Sequence, residues 1–204
     1  MGITERKERQ KEEMKKNIQD AAFEMFVTEG YAGTSLREIA KKIEYSPATI
    51  YLYYKDKDAL FFDIQIQCFK KLIQSYSKVV EIKNPFERLK EMGIAYMKHN
   101  MKNPQCFNLM FLHDSPLEGL KREDRMDKYG NAIGFLRDTV KECIKQKLIT
   151  EKNEMNVRLE VWGLTHGLTT LFVQRSYEGM GLTNTEAETY MMKCWENYLA
   201  RIKA

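Results

Sequence analysis

An all-α fold is what this sequence predicts, on three observations. Apolar residues recur at intervals of three and four along most of the chain, and no segment sustains the two-residue alternation of a strand. Ser35, Ser46, Asp56, Asn84 and Asn103 each stand just ahead of such a periodic run, where helix N-caps belong. About nine helices are expected, divided between an N-terminal three-helix unit with a helix-turn-helix, residues 1–57, and a larger helical domain, residues 58–204.

Composition sets the outer bounds. At 43% hydrophobic and 30% charged residues, the 204-residue chain has ample material for a buried core and no apolar run long enough to span a bilayer. The opening MGITERKERQKEEMKK carries charge with no apolar signal segment behind it, so a cytoplasmic protein with no membrane partner is expected. Cys68, Cys106, Cys143 and Cys194 lie far apart in apolar stretches and read as reduced buried thiols rather than a disulfide framework. The net charge of +4 is spread evenly: residues 1–57 hold 11 Lys plus Arg against 10 Asp plus Glu, leaving 22 against 19 for the rest. Basicity alone therefore marks no nucleic-acid binder, and only local clusters could serve, at Arg6, Lys7, Arg9 and Lys11 and at Lys55 and Lys57.

The first helix is expected over residues 11–29, where Ile18, Ala21, Ala22, Met25 and Phe26 recur at helical spacing and Gly30 supplies a left-handed cap. Ser35 with Glu38 fits a capping box and starts a second helix, with Leu36, Ile39, Ala40 and Ile43 inward and Arg37, Glu38, Lys41 and Lys42 outward. Residues 44–46 form the turn. Ser46 and Pro47 begin a third helix, because serine caps well and proline at the first helical position loses an amide that had no partner. Asp56 caps a long helix from Lys57 or Asp58. Ile50 and Tyr54 share the inward face with Ile39 and Ile43, whereas Tyr51 and Tyr53 turn to other sides.

Two short helices joined this way make a helix-turn-helix, whose second helix can enter a DNA major groove about 12 Å wide. Residues 34–60, TSLREIAKKIEYSPATIYLYYKDKDAL, resemble the DNA-binding segment of TetR/AcrR-type transcriptional regulators. The family pattern I-A-x-x-x-G-V-S-x-x-T-x-Y-x-Y-F-x-x-K-x-x-L, with a threonine ahead of it, is met at Thr34, Ile39, Ala40, Ser46, Thr49, Tyr51, Tyr53, Lys57 and Leu60. Tyr54 replaces the phenylalanine and keeps the ring. Glu44 and Tyr45 replace the glycine and an aliphatic residue. A non-glycine in a left-handed turn costs on the order of 1 kcal/mol, and a glutamate facing phosphate would repel it, so Glu44 is expected to point away from DNA.

The resemblance implies a homodimeric repressor that binds a palindromic double-stranded DNA operator and is released by a small-molecule effector. It places Thr34, Ser35, Arg37, Ser46, Pro47, Ala48, Thr49, Tyr51, Leu52, Tyr53 and Lys57 at the DNA. Thr49, Tyr51, Tyr53 and Lys57 suit phosphate, which positions the helix without reading sequence. Pro47, Ala48 and Leu52 offer only apolar contacts such as those to thymine methyls, so preference leans on DNA shape. The charged turns ahead of the first helix read as a solvated arm, with phosphate contact as the alternative.

The long helix from Lys57 is expected to reach about residue 81 on the stripe Ala59, Leu60, Phe61, Ile64, Cys68, Leu72 and Tyr76. Asn84 and Pro85 start the next, with Phe86, Leu89, Met92, Gly93, Tyr96 and Met97 inward. Asn103 and Pro104 start another, with Phe107, Met110, Phe111 and His113 inward, followed by a loop at residues 114–119. Met126, Tyr129, Ile133, Leu136, Val140 and Ile144 mark a helix over residues 121–147. Residues 154–175 align Val157, Val161, Leu164, Leu168, Leu171 and Phe172 on one face. Gly163 and Gly167 cost helix propensity of about 1 kcal/mol each and suit close approach of another helix or a ligand. Residues 184–202 supply a last helix with Tyr190, Met191, Cys194, Trp195, Tyr198 and Leu199.

Trp162, Gly163, His166, Gly167 and Leu168 resemble a Trp-x-x-x-His-Gly signature in the ligand-binding domain of one TetR subgroup. In the family the last two long helices pair with their twins in a four-helix bundle, which implies a dimer face of Leu164, Leu168, Leu171, Met191, Trp195 and Tyr198. It also implies a pocket for an apolar or aromatic molecule, with Tyr96, Met97, Phe107, Met110, Phe111, Phe135, Trp162 and His166 as candidates. An enzyme would need a convergent acid, base or nucleophile. His99, His113 and His166 are scattered, and no phosphate loop, dinucleotide fingerprint or nucleophile elbow occurs. No catalytic residue, metal site or cofactor is expected. His99 is expected to face solvent, and His113 and His166 to be satisfied core histidines. Two alternatives stay open: a DNA-binding regulator without a ligand, and a helical protein-interaction module.

Overall fold

The computed structural model describes residues 2–112 and 122–204, with the side chains of Ile3 and of residues 112–132 left aside. His113 and the loop expected at residues 114–119 lie outside the described residues, as do the side chains of Met126 and Tyr129. Among the described residues every regular element is a helix: α1 Ile3–Thr28, α2 Gly30–Gly33, α3 Leu36–Lys42, α4 Pro47–Tyr51, α5 Lys57–Ser75, α6 Pro85–Lys102, α7 Pro104–Phe107, α8 Arg122–Lys145, α9 Glu154–Val173 and α10 Asn184–Ile202. A π-helical turn, Asn108–Leu112, follows α7 and a 3-10 turn, Ser176–Met180, follows α9. The additional short helix is α2, which opens on the left-handed Gly30 that closes α1, φ 73°.

The chain divides into two compact units, Met1–Cys68 with Asn108–Leu120, and Phe69–Phe107 with Lys121–Ala204. The division falls inside α5 rather than at residue 57, because the first turns of that helix complete the N-terminal core. Leu60, Phe61 and Ile64 close over Ile18, Ala22 and Phe26 of α1, Leu36, Ile39 and Ala40 of α3 and Ile50 of α4. Each such buried large side chain stabilises by about 1.5–3 kcal/mol. Phe61 meets Phe26 and Tyr31 edge-on, with ring centroids 4.9 and 5.1 Å apart.

A polar tie fixes α5 against α1 and the end of α4. Asp63 Oδ2 accepts from Tyr54 O–H at 2.8 Å, Gln19 Nε2 at 2.9 Å and Lys15 Nζ at 2.9 Å, and Gln19 Nε2 also reaches Tyr54 Oη at 2.7 Å. Burial would raise the Asp63 pKa, but the bonds from Lys15, Tyr54 and Gln19 outweigh it and hold the carboxyl below its ordinary range.

In the second unit α6 packs against α8, α9 and α10. Asn84 Oδ1 caps α6 by accepting from the amides of Phe86 and Glu87 at 2.9 and 3.1 Å. The inward set Phe86, Leu89, Met92, Gly93, Tyr96 and Met97 is buried as expected. Arg88 bridges α6 to α8, donating to Thr139 Oγ1 at 3.2 Å and Glu142 Oε2 at 2.6 Å. Helix α5 stops at Ser75, short of residue 81, and turns bonded from Val79 N to Tyr76 O, 2.8 Å, take over. Ile133 is exposed rather than inward, and of the expected buried thiols Cys143 is free and buried whereas Cys194 is free and exposed.

Helix α9 buries Val157 and Val161 as expected, but its inward face continues on other residues than Leu164, Leu168 and Leu171. Val157, Val161, Thr165 and Thr169 go inward, the threonine hydroxyls donating back to Val161 O and Thr165 O at 2.8 and 2.7 Å. Those bonds satisfy the hydroxyls internally and let threonine stand where aliphatic residues were expected. Leu164 and Leu168 are half-buried and Leu171 is exposed.

Candidate functional site

The turn between α3 and α4 sets the aim of α4. Glu44 lies in the left-handed region at φ 60°, Glu44 N donates to Lys41 O at 3.2 Å and Tyr45 N to Ala40 O at 2.9 Å. That pair of bonds is a Schellman closure, with glutamate where glycine is usual. The Ser46 hydroxyl then accepts from Thr49 N at 3.2 Å and Pro47 opens α4. At the start of α3 the Ser35 hydroxyl accepts from Glu38 N at 3.2 Å, the hydroxyl half of the expected box.

These constraints leave one side of α4 free. Arg37, Glu44, Ser46, Pro47 and Ala48 are exposed, Tyr51 is 54% exposed and Leu52 81%. Tyr45, which sequence reasoning treated only as a departure from the family pattern, is also exposed beside them. Ile50 and Tyr54 are buried, as the helical spacing required. Tyr53 is half-buried against the core, and Thr49 holds its hydroxyl 3.0 Å from Ser46 Oγ.

Two residues assigned to DNA point elsewhere. Thr34 is buried and donates from Oγ1 to Gly30 O at 2.8 Å, closing α2. Lys57 turns back over the chain: its ammonium donates to Tyr31 O at 2.7 Å and Thr34 O at 2.9 Å and lies 4.0 Å above the Tyr31 ring. Tyr31 is held in turn by a hydrogen bond to Asp58. Lys57 thus fastens the segment ahead of α3, leaving one of its three N–H groups for anything outside. Asp56 Oδ1 caps α5 by accepting from Ala59 N at 2.7 Å.

In the second unit four of the pocket candidates come together. Tyr96 Oη lies 2.8 Å from His166 Nδ1, and the His166 ring is 5.1 Å from Phe107 and 5.8 Å from Trp162. Burial lowers the His166 pKa, leaving a neutral imidazole at pH 7. Burial pushes the Tyr96 phenol up, and a hydrogen bond from Trp162 opposes that in part. A neutral phenol donating to Nδ1 while accepting from the indole is the arrangement these shifts describe. Met97 is buried, Phe135 lies against Tyr76 with centroids 6.0 Å apart, and Met110 and Phe111 belong to the first unit. His99 does not face solvent as expected: it is half-buried, and burial and then Lys71 lower its pKa.

The expected dimer residues separate as well. Trp195 is 0% exposed and donates from Nε1 to Lys90 O at 3.0 Å, and Met191 and Tyr198 are buried with it inside the unit. They fill the protomer's own core because α10 lays that face on α6, where Gly93 leaves room for the indole. Leu171, one of the expected dimer residues, is exposed, and with it the large side chains of Met155, Leu159, Trp162 and, on α10, Tyr190. A side chain added at Gly163 or Gly167 would meet nothing within 4 Å among the described residues. Among the described residues no group of His, Cys, Asp and Glu could hold a metal ion, and no helix is long and apolar enough to cross a membrane.

Comparison with known proteins covers both units. The family model described as bacterial regulatory proteins of the tetR family matches residues 18–64, and the model for the tetracyclin repressor-like C-terminal domain matches residues 89–193. The chain is 23% identical over 128 residues to the transcriptional repressor NicS of Pseudomonas putida, a match covering 61% of this chain and 60% of that protein. It is 24% identical over 165 residues to the transcriptional regulator YobS of Bacillus subtilis, 80% of this chain and 81% of YobS. Among solved structures, the TetR family regulator PfmR from Thermus thermophilus superposes with a TM-score of 0.70 at 19% identity, over 92% of this chain and 96% of that one. The fatty acid degradation regulator FadR of Bacillus halodurans gives a TM-score of 0.70 at 18% identity, over 89% and 93%.

Proposed function

This chain belongs to the TetR family of transcriptional regulators, and on that premise we propose that it is a cytoplasmic, homodimeric repressor that binds a palindromic operator through α4 and releases it on binding a small molecule. The observation that carries the DNA-binding part is the free side of α4. A leucine 81% exposed beside an exposed tyrosine and the Ser46–Pro47–Ala48 edge is an expensive surface to leave in water. It matches what a major groove accepts, apolar groups for thymine methyls and hydroxyls for phosphate. Tyr51 and Ser46 fill the phosphate role, Pro47, Ala48 and Leu52 the apolar one, and Arg37 stands at the rim. Thr34 and Lys57 act behind the interface, holding α2 and the start of α3.

The dimer reading rests on α9. Met155, Leu159, Gly163, Gly167 and Leu171 are exposed and follow one another at four-residue steps, so they form one inclined ridge, apolar at both ends and bare in the middle. Among the described residues the two glycines have no close neighbour to explain them, and a second copy of α9 crossing there would. Two recognition helices about 34–36 Å apart then enter successive major grooves, and an effector favouring another spacing lowers DNA affinity by linkage. Helix α5 begins in the DNA-binding unit and ends in the other, so it is the natural lever. Selecting genomic fragments on the purified protein at low salt, then measuring mass with and without Gly167→Glu, tests both parts. The expected result is enrichment of an inverted repeat and a dimer that G167E converts to monomer. No enrichment removes the operator reading, and a monomeric wild type removes the dimer.

A further inference from the structure

We propose that the effector is a neutral, planar aromatic molecule bearing an O–H or N–H group, and that the Asn100 side-chain oxygen accepts that group's hydrogen. The inference rests on the ligand-responsive reading above and specifies the chemistry of the ligand. Asn100 lies on α6 and is 0% exposed. Its Nδ2 donates to Tyr96 O at 2.8 Å, which fixes the orientation of the amide and leaves Oδ1 as the acceptor. Among the described residues Oδ1 is buried with no partner, and so is Nε2 of the adjacent His99. Buried side-chain polar atoms are nearly always paired, and the Asn100 orphan points to a partner that the described residues do not supply.

The surroundings restrict that partner. Tyr96 precedes Asn100 by one turn, so the two side chains share a face of α6. Tyr96 is bonded to His166, whose ring lies within 6 Å of both Phe107 and Trp162. Flat side chains from α6, α7 and α9 therefore gather around Tyr96, on the face of α6 that Asn100 shares, and suit a planar aromatic ring. Among the described residues no carboxylate acts on Tyr96, His99 or His166, and the charge that acts on His99 is the positive Lys71. A carboxylate ligand fares no better, since it brings only lone pairs to an acceptor that needs a donor. What remains is a neutral donor, of the phenol, aromatic amine or lactam kind.

The test compares ring systems that differ only in that group. Binding of 2-naphthol, 2-methoxynaphthalene and 2-naphthoate to the full-length protein is measured by calorimetry, for wild type and for Asn100→Leu. The expected result is that wild type binds 2-naphthol about tenfold or more tighter than 2-methoxynaphthalene, with 2-naphthoate weakest, and that N100L binds the first two equally. Equal affinity of the naphthol and its ether in wild type overturns the assignment, as does a preference for 2-naphthoate, a naphthol preference that survives N100L, or no binding by any of the three. Equal affinity is also what a water molecule permanently seated on Asn100 Oδ1 would produce. If circular dichroism shows N100L unfolded, the wild-type series decides alone. Gel shifts on the same samples separate this inference from the one beneath it. Naphthol that binds by the predicted order yet leaves the operator bound removes ligand response and keeps the Asn100 site, whereas ligand-free operator binding with failed discrimination removes only the site.

Discussion

Replacing Lys57 by methionine keeps the length of the stem and removes the ammonium, and its consequences separate two accounts of that residue. In the structure the ammonium donates to Tyr31 O at 2.7 Å and Thr34 O at 2.9 Å and covers the Tyr31 ring at 4.0 Å. Hydrogen bonds from a charged donor contribute roughly 1.5–3 kcal/mol each, and a cation over an exposed ring about 0.5–1 kcal/mol. Lys57 is half-buried, and water can rehydrate both carbonyls once it is gone, so the low end of these ranges applies. The low ends sum to a loss of about 3.5 kcal/mol, equivalent to about 7–14 °C in melting temperature for a chain of this length. Urea unfolding followed by far-UV circular dichroism measures it, and gel shifts across a salt series run in parallel. Operator affinity should fall together with stability, while the salt slope changes by less than one unit. Unchanged stability with the slope lowered by about one would refute this reasoning, because it is the signature of a lost phosphate contact.

Three further outcomes follow from the same geometry. Glu44→Gly relieves a left-handed residue in the α3–α4 turn and should stabilise by about 0.5–1 kcal/mol, seen as a higher urea midpoint; a lower midpoint would mean that the glutamate side chain contributes more than its backbone costs. Gly93→Ala places a methyl group 2.5 Å from Cε2 and Cζ2 of Trp195, and overpacking of that kind costs about 1–3 kcal/mol, with a red shift of indole emission if the ring is displaced; unaltered melting and emission would count against the packing described. Asp63 has its pKa lowered on folding, so its contribution is complete above the unfolded value of roughly 3.9 and is lost as pH falls through the lower folded value. Asp63→Asn should therefore be less stable than wild type at pH 7, by a margin that narrows at pH 3. A constant margin in denaturation at both pH values would contradict the network.

The boundaries of the helices near the N-terminus were legible because they are local. Ser35, Ser46, Asp56 and Asn84 each accept from an amide two or three residues ahead, a relation that a short window of sequence contains. The exposure of Tyr51 and Leu52 and the burial of Ile50 and Tyr54 followed from helical phase alone. What sequence could not show was long-range. The Gln19–Tyr54–Asp63 tie joins residues 44 positions apart, and no periodicity announces it. Lys57 matched a family position but bends toward carbonyls supplied by the turn at Tyr31 and Thr34. Tyr45 escaped notice as a surface group because its exposure depends on the left-handed Glu44 before it.

Helices α9 and α10 show a second limit. Both carry apolar residues on more than one side, and hydrophobic phase does not distinguish the side packed within a protomer from the side left for a partner. Trp195 and Tyr198 proved to be the inner face and Tyr190 the outer one. On α9, threonines that satisfy their own hydroxyls took inner positions, leaving Leu171 outside. A decisive local clue was Gly93, whose missing side chain makes room for the Trp195 ring, but the pairing spans 102 positions and needs the fold to be read.

The central claim is that the free side of α4 reads DNA, and footprinting of a selected genomic fragment tests it most directly. Wild type should protect two half-sites about one helical turn apart, centre to centre, on one face of the duplex, or a whole multiple of that spacing. Tyr51→Ala with Leu52→Ala, both on exposed positions, should abolish protection while melting stays within about 0.5 kcal/mol equivalent of wild type. Full protection by the double variant, or no fragment protected by wild type at low salt, would contradict the account.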